Sequence, residues 1–191
     1  MAKLQRAVEP WRPSREQLAA AKNKGTPDVL GPGAKVWFVG VNPGLYSAAI
    51  GHHFGRPGNR FWPTLANAGF TPRLLSPFED ASLPEYGLGI TNLVPRASAR
   101  AEELSEAELR RGAKLLAAKV AAQEPKTVAV LGITAYRVAF AHPKAQLGRQ
   151  SELLEGSTLW VLPNPSGLNA HHQLPSLARL FGELRAFALD A

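Results

Sequence analysis

The feature that most limits how this chain can fold is a set of short apolar runs, each cut off by a turn-forming residue. Lys35-Val36-Trp37-Phe38-Val39 ends at Gly40, Thr127-Val128-Ala129-Val130-Leu131 at Gly132, and Thr158-Leu159-Trp160-Val161-Leu162 at Pro163. A further candidate lies between Gly87 and Val94. Runs of this kind suit strands buried on both faces of a parallel sheet. Helical patterns separate them. Ser14 to Lys24 fits a short helix, and Asn59 to Asn67 fits another, with Pro63 in its first turn and Gly69 behind it. Ser105-x-x-Glu108 forms a capping box ahead of a stripe made by Leu109, Ala113, Leu116, Ala117 and Val120. Thr134–Phe140 is a helix candidate, and Leu177, Leu180, Phe181, Leu184 and Phe187 mark the last one. The expected fold is α/β: a three-layer α/β/α sandwich with a central, mainly parallel four-stranded sheet. Residues 1–33, punctuated by Pro10, Pro13, Pro27 and Pro32, read as an N-terminal arm carrying the short helix. Residues 34–191 read as one domain, which suits a chain of 191 residues.

Composition removes several chemistries. There is no cysteine, which excludes disulfides, cysteine zinc sites, iron–sulfur clusters and thiol nucleophiles. His52-His53 and His171-His172 are adjacent pairs, without the i,i+4 spacing of a zinc helix, and His142 stands alone, so no metal is expected. No glycine-rich phosphate loop follows the first strand, so no nucleotide cofactor is expected either. The only lysine between Asp28 and Glu79 is Lys35, which opens a buried strand, so a Schiff-base step lacks a nucleophile. No apolar run is long enough for a membrane helix. Met1-Ala2-Lys3-Leu4-Gln5-Arg6 leads into proline and charge, and the expectation is a cytoplasmic protein, nucleoid-associated if bacterial, neither secreted nor membrane-bound.

Charge points toward a polyanion. Lys+Arg (22) minus Asp+Glu (15) leaves a net +7. No acid lies between Asp28 and Glu79, a span that holds Lys35, Arg56, Arg60 and Arg73. Pro125–Ser151 and Gly156–Gly182 are acid-free as well. A surface that meets phosphates should look like this, because each carboxylate opposes the Lys/Arg attraction.

Functional loops of a parallel sheet lie beyond the carboxyl ends of its strands. Two such loops fall inside the acid-free spans: Gly40-Val41-Asn42-Pro43-Gly44, and Pro163-Asn164-Pro165-Ser166-Gly167-Leu168-Asn169. Each sets an Asn beside a Pro, with glycine nearby for close backbone approach. An amide can orient a water or read a base edge but is a poor proton acceptor. Read alone, either loop is equally a turn.

Gly40-Val41-Asn42-Pro43-Gly44, then Asn59-Arg60-Phe61-Trp62, then Asn164-Pro165-Ser166-Gly167-Leu168 together resemble the mismatch-specific uracil/thymine DNA glycosylases of the uracil-DNA glycosylase superfamily. The ordered motifs span about residues 34 to 187. The resemblance implies a monomeric repair hydrolase whose partner is double-stranded DNA with a G:U or similar mispair. It would flip out uracil, or thymine or etheno-cytosine, cut the N-glycosidic bond and leave an abasic site without metal or cofactor. Two alternatives stay open: a broad uracil glycosylase that also takes A:U pairs and single strands, and a non-catalytic damaged-DNA binder.

The same resemblance implies residue roles. Asn42 orients the attacking water, and Gly40, Val41, Tyr46, Phe54, Asn92 and Asn164 form the base pocket. Ser166, Gly167, Leu168, Asn169 and Arg60 meet the DNA, with Leu168 as the wedge. Phe54 is read either as the ring that stacks on the flipped base or as a core residue under its loop. Asn92 is read either as a contact to the uracil or its water, or as a structural strand end. Tyr46 either narrows the pocket or lines it, and Leu168 is either a wedge or an ordinary exposed loop leucine. No carboxylate lies between Val29 and Phe78, so the sequence supplies no general base close to Asn42.

Overall fold

The computed structural model describes residues 10–189. Its sheet contains β1 (Val36–Gly40), β2 (Leu88–Asn92), β3 (Thr127–Leu131), β4 (Gly148–Leu154) and β5 (Ser157–Leu162), in the order β2-β1-β3-β5-β4. The helices are α1 (Arg15–Ala20), α2 (Leu45–Ile50), α3 (Phe61–Asn67), α4 (Glu106–Gln123), α5 (Ile133–Ala139) and α6 (Leu174–Leu189), with a 3-10 segment over Pro77–Tyr86. All pairings are parallel except β4 on β5.

The three layers follow from the strands' two-residue period. On β1, Val36 and Phe38 face one core, while Trp37 and Val39 face the other. The first core is aromatic: Phe38 meets Phe61 and Phe70 edge-on and stacks on Phe181 of α6 at 5.7 Å. The second packs Leu116 and Val120 of α4 and Tyr136 of α5 against the opposite face. The capping box starting α4 forms as the sequence indicates, with the Ser105 hydroxyl accepting from Glu108 N–H.

The sheet has five strands rather than the four expected. The extra one, β4, reads Gly-Arg-Gln-Ser-Glu-Leu-Leu and alternates between half-buried and exposed positions. As an antiparallel edge strand it needs no continuous apolar run. The Glu155-Gly156 turn into β5 has positive φ at both residues (48° and 87°), the geometry that matches a tight hairpin.

Part of the expected arm joins the body. Val29 is buried and exchanges backbone hydrogen bonds with Ile90 of β2, at 2.9 and 2.7 Å. Residues 1–9 of that arm lie outside the described residues. The chain turns to opposite sides of the sheet after β1 and β3, so the crevice beyond their carboxyl ends is the place where such sheets bind ligands.

Candidate active site at the strand ends

A cavity of about 540 Å³ opens there. Its lining includes Gly40, Val41, Asn42, Phe54, Asn92, Asn164, Ser166, Leu168 and Asn169. Residues more than 120 positions apart in the chain thus meet in one space. Gly132, just past β3, lets the two motif loops approach. A Cβ there would lie 3.2 Å from Val41 Cγ2 and 4.0 Å from Asn164 Cβ, and its φ of 142° suits glycine.

The orientation of Asn42 is settled by its neighbours. Its Nδ2 donates to the Arg96 carbonyl (3.1 Å) and to Ser98 Oγ (2.8 Å). The Ser98 hydroxyl donates to the Arg100 carbonyl (2.7 Å), so toward Asn42 it can only accept. Both partners are acceptors, and only the NH₂ end of the amide fits them. Oδ1, engaged by no described residue, is the end left for the cavity. The 96–98 segment is held by an ion pair between Arg96 and Glu108, with Arg96 Nη2 also 3.0 Å from the Glu103 carbonyl. The hydrogen bond from Arg96, aided by the Ser105 N–H, lowers the Glu108 carboxyl to about 2.

Asn164 is turned the other way. Its Oδ1 accepts from Ser166 N–H (3.0 Å), which leaves Nδ2 as the unengaged end among the described residues. Its backbone carbonyl accepts from Asn169 Nδ2 (2.9 Å), closing the base of the loop. At the loop tip Leu168 is 72% exposed.

The floor is aromatic. Phe54 stacks on Phe61 with centroids 4.0 Å apart and planes at 20°, while also lining the cavity. One face of the ring packs on the core through Phe61, and the ring also borders the open space. Phe54 has a φ of 51°, unusual for a bulky residue, and the preceding histidines are firmly held. Asp80, fully buried, binds His52 Nδ1 (2.9 Å) and the His53 N–H (3.2 Å). His53 Nε2 donates to the Pro27 carbonyl (2.9 Å), so in the neutral ring Nδ1 accepts, facing Asn92 Nδ2 at 3.5 Å. Gly40 makes room for Asn92, since a Cβ at Gly40 would stand 2.5 Å from Asn92 Oδ1 and 3.4 Å from Phe54 Cζ.

A model of the uracil DNA glycosylase superfamily matches residues 27–185. The chain belongs to that superfamily. Membership makes it a DNA glycosylase by class, a hydrolase of N-glycosyl bonds.

Within this superfamily member, some expected positions differ from the sequence reading. Tyr46 does not line the cavity; α2 starts at Leu45, and of that helix only Ser47 reaches the lining. Gly167, expected beside Leu168 among the DNA contacts and not in the base pocket, is exposed with it at the loop tip. Arg60, grouped with the DNA contacts on sequence grounds, turns its donors inward: Nη1 reaches the carbonyls of Asn169 (2.9 Å), His172 (2.8 Å) and Ser166 (3.4 Å), and Nη2 reaches that of Gly167 (3.2 Å). The sequence reading also missed several participants. Ser98 and Arg96 orient Asn42, His53 faces Asn92, and Arg100 is exposed on the rim beside Arg56, already singled out in the acid-free span. Glu102 brings a carboxylate-bearing residue to the lining from 60 positions beyond Asn42. Nothing local marks these residues, because their partners come from other segments. No group of three or more potential metal-binding side chains occurs among the described residues.

Proposed function

We propose that this glycosylase removes uracil opposite guanine, by hydrolysis without a covalent enzyme intermediate. The observation that carries the reading is the opposite polarity of two amides on one cavity, acceptor end from Asn42 and donor end from Asn164. A water that donates to Asn42 Oδ1 keeps a lone pair for the sugar. The uracil lies on the Phe54 ring, and Asn164 Nδ2 donates to a base carbonyl. As the C1′–N1 bond breaks, its electron pair leaves with the base and positive charge develops on the sugar. Water then adds at C1′ and its proton ends on the departed uracil anion, yielding an abasic site and free neutral uracil.

Positioning and charge stabilisation are the main sources of rate here. An amide is no general base, whose help is worth roughly 10²–10⁴-fold, so modest turnover follows. Leu168, apolar and exposed, fills the gap left in the stack. The rim cations Arg56 and Arg100 face the backbone phosphates.

One observation favours a broader second reading. Asn92 borders the cavity with its amide nitrogen 3.5 Å from His53 Nδ1, a placement suited to reading the pyrimidine edge itself. Recognition through Asn92 needs no guanine in the partner strand.

The deciding experiment compares excision of uracil from G:U, A:U and single-stranded oligonucleotides, with thymine and etheno-cytosine opposite guanine alongside. Preference for G:U supports the first reading, and equal rates on all uracil substrates support the second. No product at high enzyme excess removes both. Glu102→Gln belongs in the same panel. A rate loss of roughly 10²–10⁴-fold would move the base role to Glu102.

A further inference from the structure

We propose that Arg60 positions the insertion loop rather than gripping a DNA phosphate. The inference rests on the glycosylase reading above and names what makes its wedge work. Among the described residues Arg60 has no carboxylate partner, and its hydrogen bonds end on four carbonyls of one loop, at residues 166, 167, 169 and 172. The contacts of 2.8, 2.9 and 3.2 Å are the stronger ones, and the 3.4 Å contact to Ser166 is marginal. Four carbonyl dipoles converging on one cation replace much of its hydration. They also draw both flanks of the Leu168 turn toward a single point. Arg60 N–H adds a bond to the Pro165 carbonyl at 2.9 Å.

The cation itself stands on firm ground. It lies at the start of α3, where Asn59 Oδ1 caps the Phe61 N–H (2.9 Å) and both Phe61 and Trp62 are buried. Phe61 is also the ring that backs Phe54. Two consecutive residues therefore support the two halves of the site: Arg60 holds the wedge loop and Phe61 holds the stacking face. A shift at this helix start moves both together, which ties insertion of Leu168 to seating of the base. Lysine cannot replace this device, because a single ammonium lacks the planar fork that reaches spread-out acceptors.

The test uses the full-length chain with Arg60→Lys and Arg60→Ala. Backbone amide exchange is followed across residues 166–172, together with melting temperature. Excision is measured on a G:U duplex and on the same uracil strand unpaired, and duplex binding is measured as a function of salt. Both variants are expected to speed loop exchange and to slow duplex excision roughly tenfold or more, the scale of at least one net hydrogen bond lost from the loop. Excision from the single strand is expected to fall much less. Arg60→Lys should melt close to the wild type, and the salt slope should stay the same in both variants. A slope reduced by about one, with loop exchange unchanged, would mean a phosphate contact and overturn the proposal. Equal losses on both substrates would overturn it too. If the wild type excised nothing, the glycosylase reading would fall, while loop exchange would still decide whether Arg60 holds the loop.

Discussion

The Ser98 hydroxyl accepts the Asn42 amide nitrogen at 2.8 Å, and its own proton is engaged by the Arg100 carbonyl. That pairing decides which end of Asn42 meets the cavity. Ser98→Ala removes one of two acceptors and lets the amide rotate. We expect excision to fall roughly tenfold, the scale of one net hydrogen bond, with duplex affinity little changed. Asn42→Ala should cost on the order of a hundredfold or more while binding survives. Single-turnover rates beside equilibrium binding check both variants. A Ser98→Ala rate equal to wild type would show that the amide is oriented without the serine.

Phe54 borders the cavity with one face already stacked on Phe61. Base–aromatic stacking is worth roughly 1–3 kcal/mol, so Phe54→Ala should weaken binding of a uracil-containing strand about ten- to a hundredfold. Phe54→Leu keeps apolar bulk but loses the flat face. Full activity in that variant would reduce the ring to core filling.

Leu168 is exposed on a loop whose tip it shares with Gly167. Leu168→Ala should shorten residence on G:U duplex several-fold and change melting temperature little, because the side chain buries little surface in the free protein. Dissociation rates from duplex and from single strand provide the measurement. Equal effects on the two would remove the wedge role.

Acid should loosen the Asn42 support through Glu108. Its carboxyl is lowered from 4.5 to about 2 by Arg96, so the folded state holds its proton less tightly than the unfolded chain. The sign follows: the contribution to stability is complete above about 4.5 and is lost as pH falls toward 2. Glu108→Gln should therefore melt below wild type at neutral pH, with the gap narrowing across that window. Melting curves at stepped pH check it, and a gap independent of pH would assign the effect to the α4 cap instead.

The parallel strands were legible because burial on both faces leaves a continuous apolar run, as at residues 127–131 and 158–162. The α4 start was legible because a capping box is a local pattern of Ser105 and Glu108. β4 was not, since one of its faces meets solvent and its sequence is mostly polar. Within the site, Asn42 and Asn164 stood out through their glycine- and proline-rich surroundings and Phe54 through the family resemblance, whereas Ser98 and Glu102 carried no local mark.

Sequence alone determined the layered α/β plan and the two amide-bearing turns, because apolar runs and Asn-Pro-Gly chemistry act over a few residues. Tertiary structure decided which atom each amide offers and where Arg60 points. Asn42 is oriented by residues 54 and 56 positions away, and Arg60 reaches carbonyls 106 to 112 positions away. A hydrogen-bond partner at that separation exists only after the sheet has brought the strand ends together.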